Sequence, residues 1–188
     1  MHSFGAFAIL SLAATATVSA APTATTTTTK DASKTVTLTG VTHSVVAGLG
    51  GLRFDPDNVV ADIGDIVEWH FLPKNHSVAQ SNFANPCNPL ADGTSFFAGF
   101  NFVTQQNQAP DVFQLIVKDK KPTWYYCPQQ TGSHCQKGMV GVINQNFDDP
   151  AFSLSKHREL AAKTNVSVVP PVQQGGKVIA NPNPLGGF

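Results

Sequence analysis

The stretch WYYCPQQTGSHCQKGMVGVIN, residues 124–144, holds two of the chain's three cysteines, one of its six histidines and one of its two methionines. Cys127, His134, Cys135 and Met139 fall within thirteen positions, next to an apolar, strand-like run. Three chemistries compete for such a cluster: a disulfide corner, a zinc loop, or part of a copper centre. Structural zinc takes four thiolate or imidazole ligands in paired short spacings. Neighbours on an extended chain point in opposite directions, so His134 and Cys135 are poorly placed to share one ion. A disulfide alone leaves His134 and Met139 unused and strands a third thiol. Two imidazoles and one thiolate with a weak axial thioether form the ligand set of blue copper. Cys127, His134 and Met139 supply three of those donors and call for one imidazole from another strand.

His76, in KNHSVAQ, follows the strand-like DIVEWHFL where the chain turns, and is the best placed of the other histidines. His43, His70 and His157 are read as surface histidines. With Cys127 as thiolate, Cys87 and Cys135 are left to bridge; the alternative bridge, Cys87 to Cys127, would remove the metal ligand.

The compartment matters to this arithmetic. The first twenty residues, MHSFGAFAILSLAATATVSA, carry no Asp, Glu, Lys or Arg and end on a small-x-small pattern, which predicts a secretory signal peptide over 1–20. Oxidising surroundings favour a disulfide and make a lone thiol noteworthy. No other run approaches the length of a membrane span, and the terminal NPNPLGGF lacks the hydrophobic tail of a lipid-anchor signal. The expectation is a secreted monomer, extracellular or in the cell wall. Lys plus Arg equals Asp plus Glu, twelve each, so nothing points to nucleic acid or to an anionic membrane.

Residues 21–34 form a Thr-rich spacer. From 35 to 147, short period-2 segments separated by Gly, Pro, Asn and Asp predict an all-β domain, an antiparallel Greek-key sandwich or barrel. Its segments are TVTLTGV, DIVEWHFL, DVFQLIVK, PTWYYC and MVGVIN, with shorter ones at 52–54 and 59–61. Residues 79–108 make a long excursion around Cys87. Its phenylalanines, Phe83, Phe96, Phe97, Phe100 and Phe102, are read mainly as packing, with an apolar docking patch as the alternative. Over 148–188, Asp149 and Pro150 open a short helix, and a disordered Pro/Gly/Asn-rich tail follows. Two sequons occur, at Asn75 and Asn165; Asn165 is the expected glycan acceptor and Asn75 the disfavoured one.

Residues 41–144 resemble the cupredoxins, in particular the plant phytocyanins and the fungal extracellular serine-rich proteins with a cupredoxin domain. The resemblance lies in LRFDPDNVVADIGDIVEWHF, KNHSVAQSNFANPCNP and PTWYYCPQQTGSHCQKGMVGVIN. It implies a type 1 copper ion on His76, Cys127, His134 and Met139, a Cys87–Cys135 disulfide, and one-electron transfer with an unknown protein partner or small reductant. The six-residue spacer PQQTGS is longer than in many members of the family. The chain has no His-x-His pair, as a multicopper oxidase needs, and no histidine at the expected mature N-terminus, so an enzyme is not expected. A competing reading is a copper-sequestering or interaction protein of the cell surface that uses the same domain as a scaffold.

Overall fold

The computed structural model describes residues 36–186; the expected signal peptide (1–20) and Thr-rich spacer (21–34) lie outside the described residues. Nine strands follow in order: β1 (Thr42–Ala47), β2 (Phe54–Asp55), β3 (Asn58–Val59), β4 (Ile66–Phe71), β5 (Ala79–Ser81), β6 (Asp111–Ile116), β7 (Thr123–Tyr126), β8 (Val140–Ile143) and β9 (Lys177–Ala180). A 3-10 turn (Pro150–Phe152) and one helix, α1 (Leu154–Ala161), stand between β8 and β9. The strands form two sheets, ordered β2-β1-β4-β6-β9 and β3-β8-β7-β5.

Between the sheets lies a core set by alternation. Val67, Trp69 and Phe71 of β4 point inward and are fully buried. Trp69 meets Tyr125 of β7 edge-on at 5.3 Å between ring centroids and tilts against Phe113 of β6 at 6.0 Å. Such ring pairs add about 0.5–1.5 kcal/mol each beyond the area they bury. Phe96, Phe97 and Phe102 of the long excursion are buried as well, and Phe83 and Phe100 pack on them in part. The packing reading of these rings therefore describes them better than a docking patch.

The architecture is the predicted all-β sandwich, with three differences. The sheets are mixed rather than antiparallel, because β1 pairs with β4 and β3 with β8 in parallel. The first strand begins at Thr42 and not within 35–41, and β5, inside the excursion, pairs with β7. Lastly, the tail is not a disordered appendage. Lys177–Ala180 pairs antiparallel with Asp111–Gln114 of β6, and Val178 packs on the core. Three consecutive apolar residues after Lys177 give no periodicity, so a pairing across more than sixty residues of chain leaves no local sequence signal.

The outer face of β4 explains why the tail is held. His70, read as a surface histidine, is buried, and so is Glu68 on the same face. His70 Nε2 stands 2.8 Å from Glu68 Oε1, and Gln114 Nε2 donates to Glu68 Oε2 at 2.6 Å. His70 Nδ1 lies 2.9 Å from Gln108 Oε1, which also accepts from Asn181 Nδ2. Gln108 Nε2 donates to the Gly186 carbonyl, and the Asn183 amide donates to Asn181 Oδ1. Gln108, just before β6, thus links the polar face of the strand to the backbone of the returning tail, and buried polar groups are tolerated when they are partnered in this way.

Helix α1 starts at Ser153, whose hydroxyl accepts from the Lys156 amide, whereas Asp149 caps the preceding 3-10 turn. His157, also expected at the surface, is fully buried. It lies against the Trp124 ring at 4.7 Å with its Nδ1 donating to the Phe83 carbonyl. Burial is the main reason its pKa falls to about 4. No helix among the described residues is long and apolar enough to cross a membrane.

Candidate metal centre

His76 sits five residues beyond the end of β4, in the turn towards β5. Cys127 follows the last residue of β7, and His134 lies in the loop to β8. The structure brings their donor atoms together: one atom from each of His76, Cys127 and His134 lies within 4.8 Å of the others. Cys127 Sγ is in hydrogen-bond contact with His134 Nδ1 at 3.4 Å, and the two imidazole centroids are 4.9 Å apart.

Turns hold the loop. The spacer PQQTGS is closed by the Ser133 amide on the Gln130 carbonyl and the His134 amide on the Gln129 carbonyl. Further on, the Gly138 amide bonds the Cys135 carbonyl and the Met139 amide the His134 carbonyl. The Cys127 amide then donates to the Met139 carbonyl at 3.0 Å, which sets the two ends of the loop side by side. Met139 is fully buried in the same apolar cluster as Cys127. Cys135, adjacent to His134 but facing away from the trio, is bonded to Cys87. Cys127 is the free cysteine of the described residues.

Gly48, just after β1, is required for close approach. A Cβ there would come within 2.6 Å of His76 Nε2, and its φ of +99° suits glycine. Beyond it opens a hollow of roughly 460 Å³, bordered by Gly48, Leu52, His76, Gln129, His134 and Lys137. His134 edges this hollow while remaining mostly buried.

The electrostatics keep all three donors neutral. Burial pushes the Cys127 thiol up to about 12, opposed by hydrogen bonds from the backbone of Ser77 and Gln129. Burial lowers the His76 pKa, partly offset by a hydrogen bond with the Pro73 backbone. Burial, then the nearby His76 and Lys137, lowers His134 to about 4. His76 Nδ1 is buried with no hydrogen-bond partner. A buried, unpaired imidazole nitrogen beside a thiol and a second imidazole suits a soft-to-borderline cation, and copper fits this donor set.

The two sequons are placed differently. Asn75 is half-buried with its Oδ1 enclosed, and the Ser77 hydroxyl is buried on the Gly99 carbonyl. Asn165 is exposed. Gly48 and the Ser77 and Gln129 amides escaped the reading of the sequence. For Gly48 the hint was its place as the first glycine of GLGG, and backbone donors leave none.

No protein-family profile matches the chain. Over 114 residues it is 37% identical to an extracellular serine-rich protein of the fungus Arthroderma benhamiae, covering 58% of this chain and 43% of that protein. Over 115 residues it is 35% identical to a probable GPI-anchored cupredoxin of the same fungus, covering 58% of this chain and 56% of the relative. The chain spans about half the length of the curated relatives it matches. Among solved structures it is similar to pseudoazurin from Hyphomicrobium denitrificans, with 19% identity, a TM-score of 0.38, and coverage of 66% of this chain and 98% of that one. Plastocyanin from Dryopteris crassirhizoma overlaps with 15% identity and a TM-score of 0.35, over 54% of this chain and 97% of that one. The two-sheet sandwich with its His-Cys-His trio is cupredoxin-like in architecture, and over 115 residues the chain is similar, at 35% identity, to a probable GPI-anchored cupredoxin.

Proposed function

We propose that this is an extracellular protein with one type 1 copper ion, held by His76, Cys127, His134 and Met139, that carries single electrons. The observation behind this reading is the convergence of His76, Cys127 and His134 while the other two cysteines are bonded to each other. Copper, when bound there, supplies a one-electron couple between Cu(II) and Cu(I). The chain's own part is to keep the donors in one arrangement. The disulfide and the Cys127–Met139 backbone bond hold the loop. The Ser77 and Gln129 backbones share hydrogen bonds with the sulfur, which steadies a thiolate there. The apolar wall around Cys127 and Met139 excludes water, and His134 at the hollow is the side chain nearest an outside electron partner.

The test is to add Cu(II) to the mature protein. An intense thiolate-to-copper visible band, absent from Cys127→Ser, is the expected result. A colourless product that retains a free native thiol overturns the proposal.

The names of the relatives, extracellular and GPI-anchored, favour a surface location, and with it a second reading in which the site sequesters copper. Chelator competition on the reduced protein separates the two. Slow release with fast electron self-exchange supports the carrier, and ready Cu(I) release supports sequestration. Release of the protein from intact cells by a phosphatidylinositol-specific phospholipase would overturn the expectation of an unanchored chain.

A further inference from the structure

Past α1 the chain does not leave the domain but runs along the β7–β8 loop. Between Thr164 and Val168 it contacts both flanks of His134. Gln136, two residues after His134, donates from Nε2 to Thr164 Oγ1 at 2.9 Å, and its Oε1 accepts from the Ser167 hydroxyl at 3.3 Å. Gln130, four residues before His134, donates from Nε2 to the Ser167 carbonyl at 2.9 Å. The Val168 amide donates to the carbonyl of Cys87 at 2.8 Å, on the far side of the disulfide. The Tyr126 hydroxyl, one residue before Cys127, donates to the Val168 carbonyl at 2.5 Å. Thr164 is itself pinned, its hydroxyl donating to the Ala161 carbonyl at the end of the helix.

Within these five residues of tail, Thr164, Ser167 and Val168 therefore bond to Tyr126, Gln130, Gln136 and Cys87, before, within and after the loop that carries His134. Ser167 is buried, and the side chain of Gln136 has its donor and its acceptor both engaged. A half-buried glutamine at a loop makes such paired contacts when the opposing segment is fixed, and here the helix and β9 fix it from both ends.

We propose that Thr164–Val168 is a positioning strap, and that Gln130, Gln136 and Ser167 are positioning residues that set how tightly His134 is held against Cys127 and His76. The strap turns the six-residue spacer from a long loop into a rigid one. It does so from outside the segment that carries the proposed ligands.

The experiment uses full-length mature protein from a non-glycosylating host and compares Gln136→Ala and Ser167→Ala with Ser167→Thr, which keeps the hydroxyl. Amide hydrogen exchange is read on metal-free protein. The strap predicts exchange about tenfold faster in residues 129–137 for the two alanine variants, the size expected from losing one or two hydrogen bonds. Amides of β4 report global stability and keep their protection, and Ser167→Thr restores the loop to the parent rate. Unchanged loop exchange, or loosening that tracks β4, overturns the strap.

A second arm rests on the copper reading: in copper-loaded protein the alanine variants shift the visible band and the EPR hyperfine splitting. If they leave the spectrum as in the parent, the segment is a structural element only and the positioning role falls. If the parent binds no copper, the proposed function falls instead, and the exchange result alone decides the strap.

Discussion

Cys127 Sγ lies 3.4 Å from His134 Nδ1, and the residue after that histidine, Cys135, is bonded to Cys87. One residue faces the donor cluster and its neighbour faces the staple, so the same short stretch is anchored on both sides. The Cys87–Cys135 bond closes a sequence separation of 48 residues. In the chain-entropy account a loop of that size contributes about 4 kcal/mol. Cys87→Ser with Cys135→Ser should lower unfolding stability by about that amount in denaturant titration. In the parent protein, unfolded without reductant, one thiol should react per chain; three would contradict the pairing.

His157 predicts an acid-sensitive limb. Its folded pKa of about 4 lies below the ordinary value of 6.5. The unfolded chain therefore takes up a proton first as pH falls, so stability declines from pH 6.5 down to about 4 and levels below that. The size is on the order of 3 kcal/mol. His134 shifts in the same window, so the informative quantity is the difference between parent and His157→Phe. Denaturation midpoints across pH 4–7 should show a shallower slope for the variant.

Gln108 joins the outer face of β4 to the tail. Gln108→Ala removes one hydrogen bond each from His70 Nδ1, Asn181 Nδ2 and the Gly186 carbonyl. The expected cost is about 1–3 kcal/mol in unfolding experiments. Amides of residues 177–183 should lose exchange protection before those of β4 and β7. Uniform loss across all strands would mean that the network is not specific to the tail.

Gly48→Ala places a methyl group 2.6 Å from His76 Nε2 at a positive φ. His76 must shift or the turn must reopen. Stability should fall by about 1–3 kcal/mol. In copper-loaded protein the visible band should move, while a band identical to the parent's would show that His76 is not displaced.

Alternation in DIVEWHFL, DVFQLIVK and PTWYYC made the sandwich legible, because period-2 patterning reports burial directly. The convergence of His76, Cys127 and His134 was legible too, since a cysteine and histidine of fitting chemistry ended strands that could meet. What stayed hidden was carried by polar residues. Glu68 and His70 alternate with Val67 and Trp69 as a solvent-facing pair would, and only the tail's return makes that face an interior. Thr164–Val168 and Lys177–Ala180 find their partners far away in the chain, and a local pattern cannot encode a distant partner. His157 sits on the polar-looking side of a short helix whose surroundings, Trp124 and Phe83, come from a different sheet and loop.

The place of β9 at the end of the five-stranded sheet bears on how the molecule survives at high concentration. Without β9, the six residues of β6 would offer a row of unpaired amides and carbonyls, a template on which another chain could add a strand. The tail occupies that row with a four-residue strand that begins at an exposed lysine and runs out into Asn-Pro-Asn-Pro. Proline has no amide to extend a ladder. Cutting the chain before residue 177 should therefore expose that edge, and the shortened protein is expected to aggregate more than its parent.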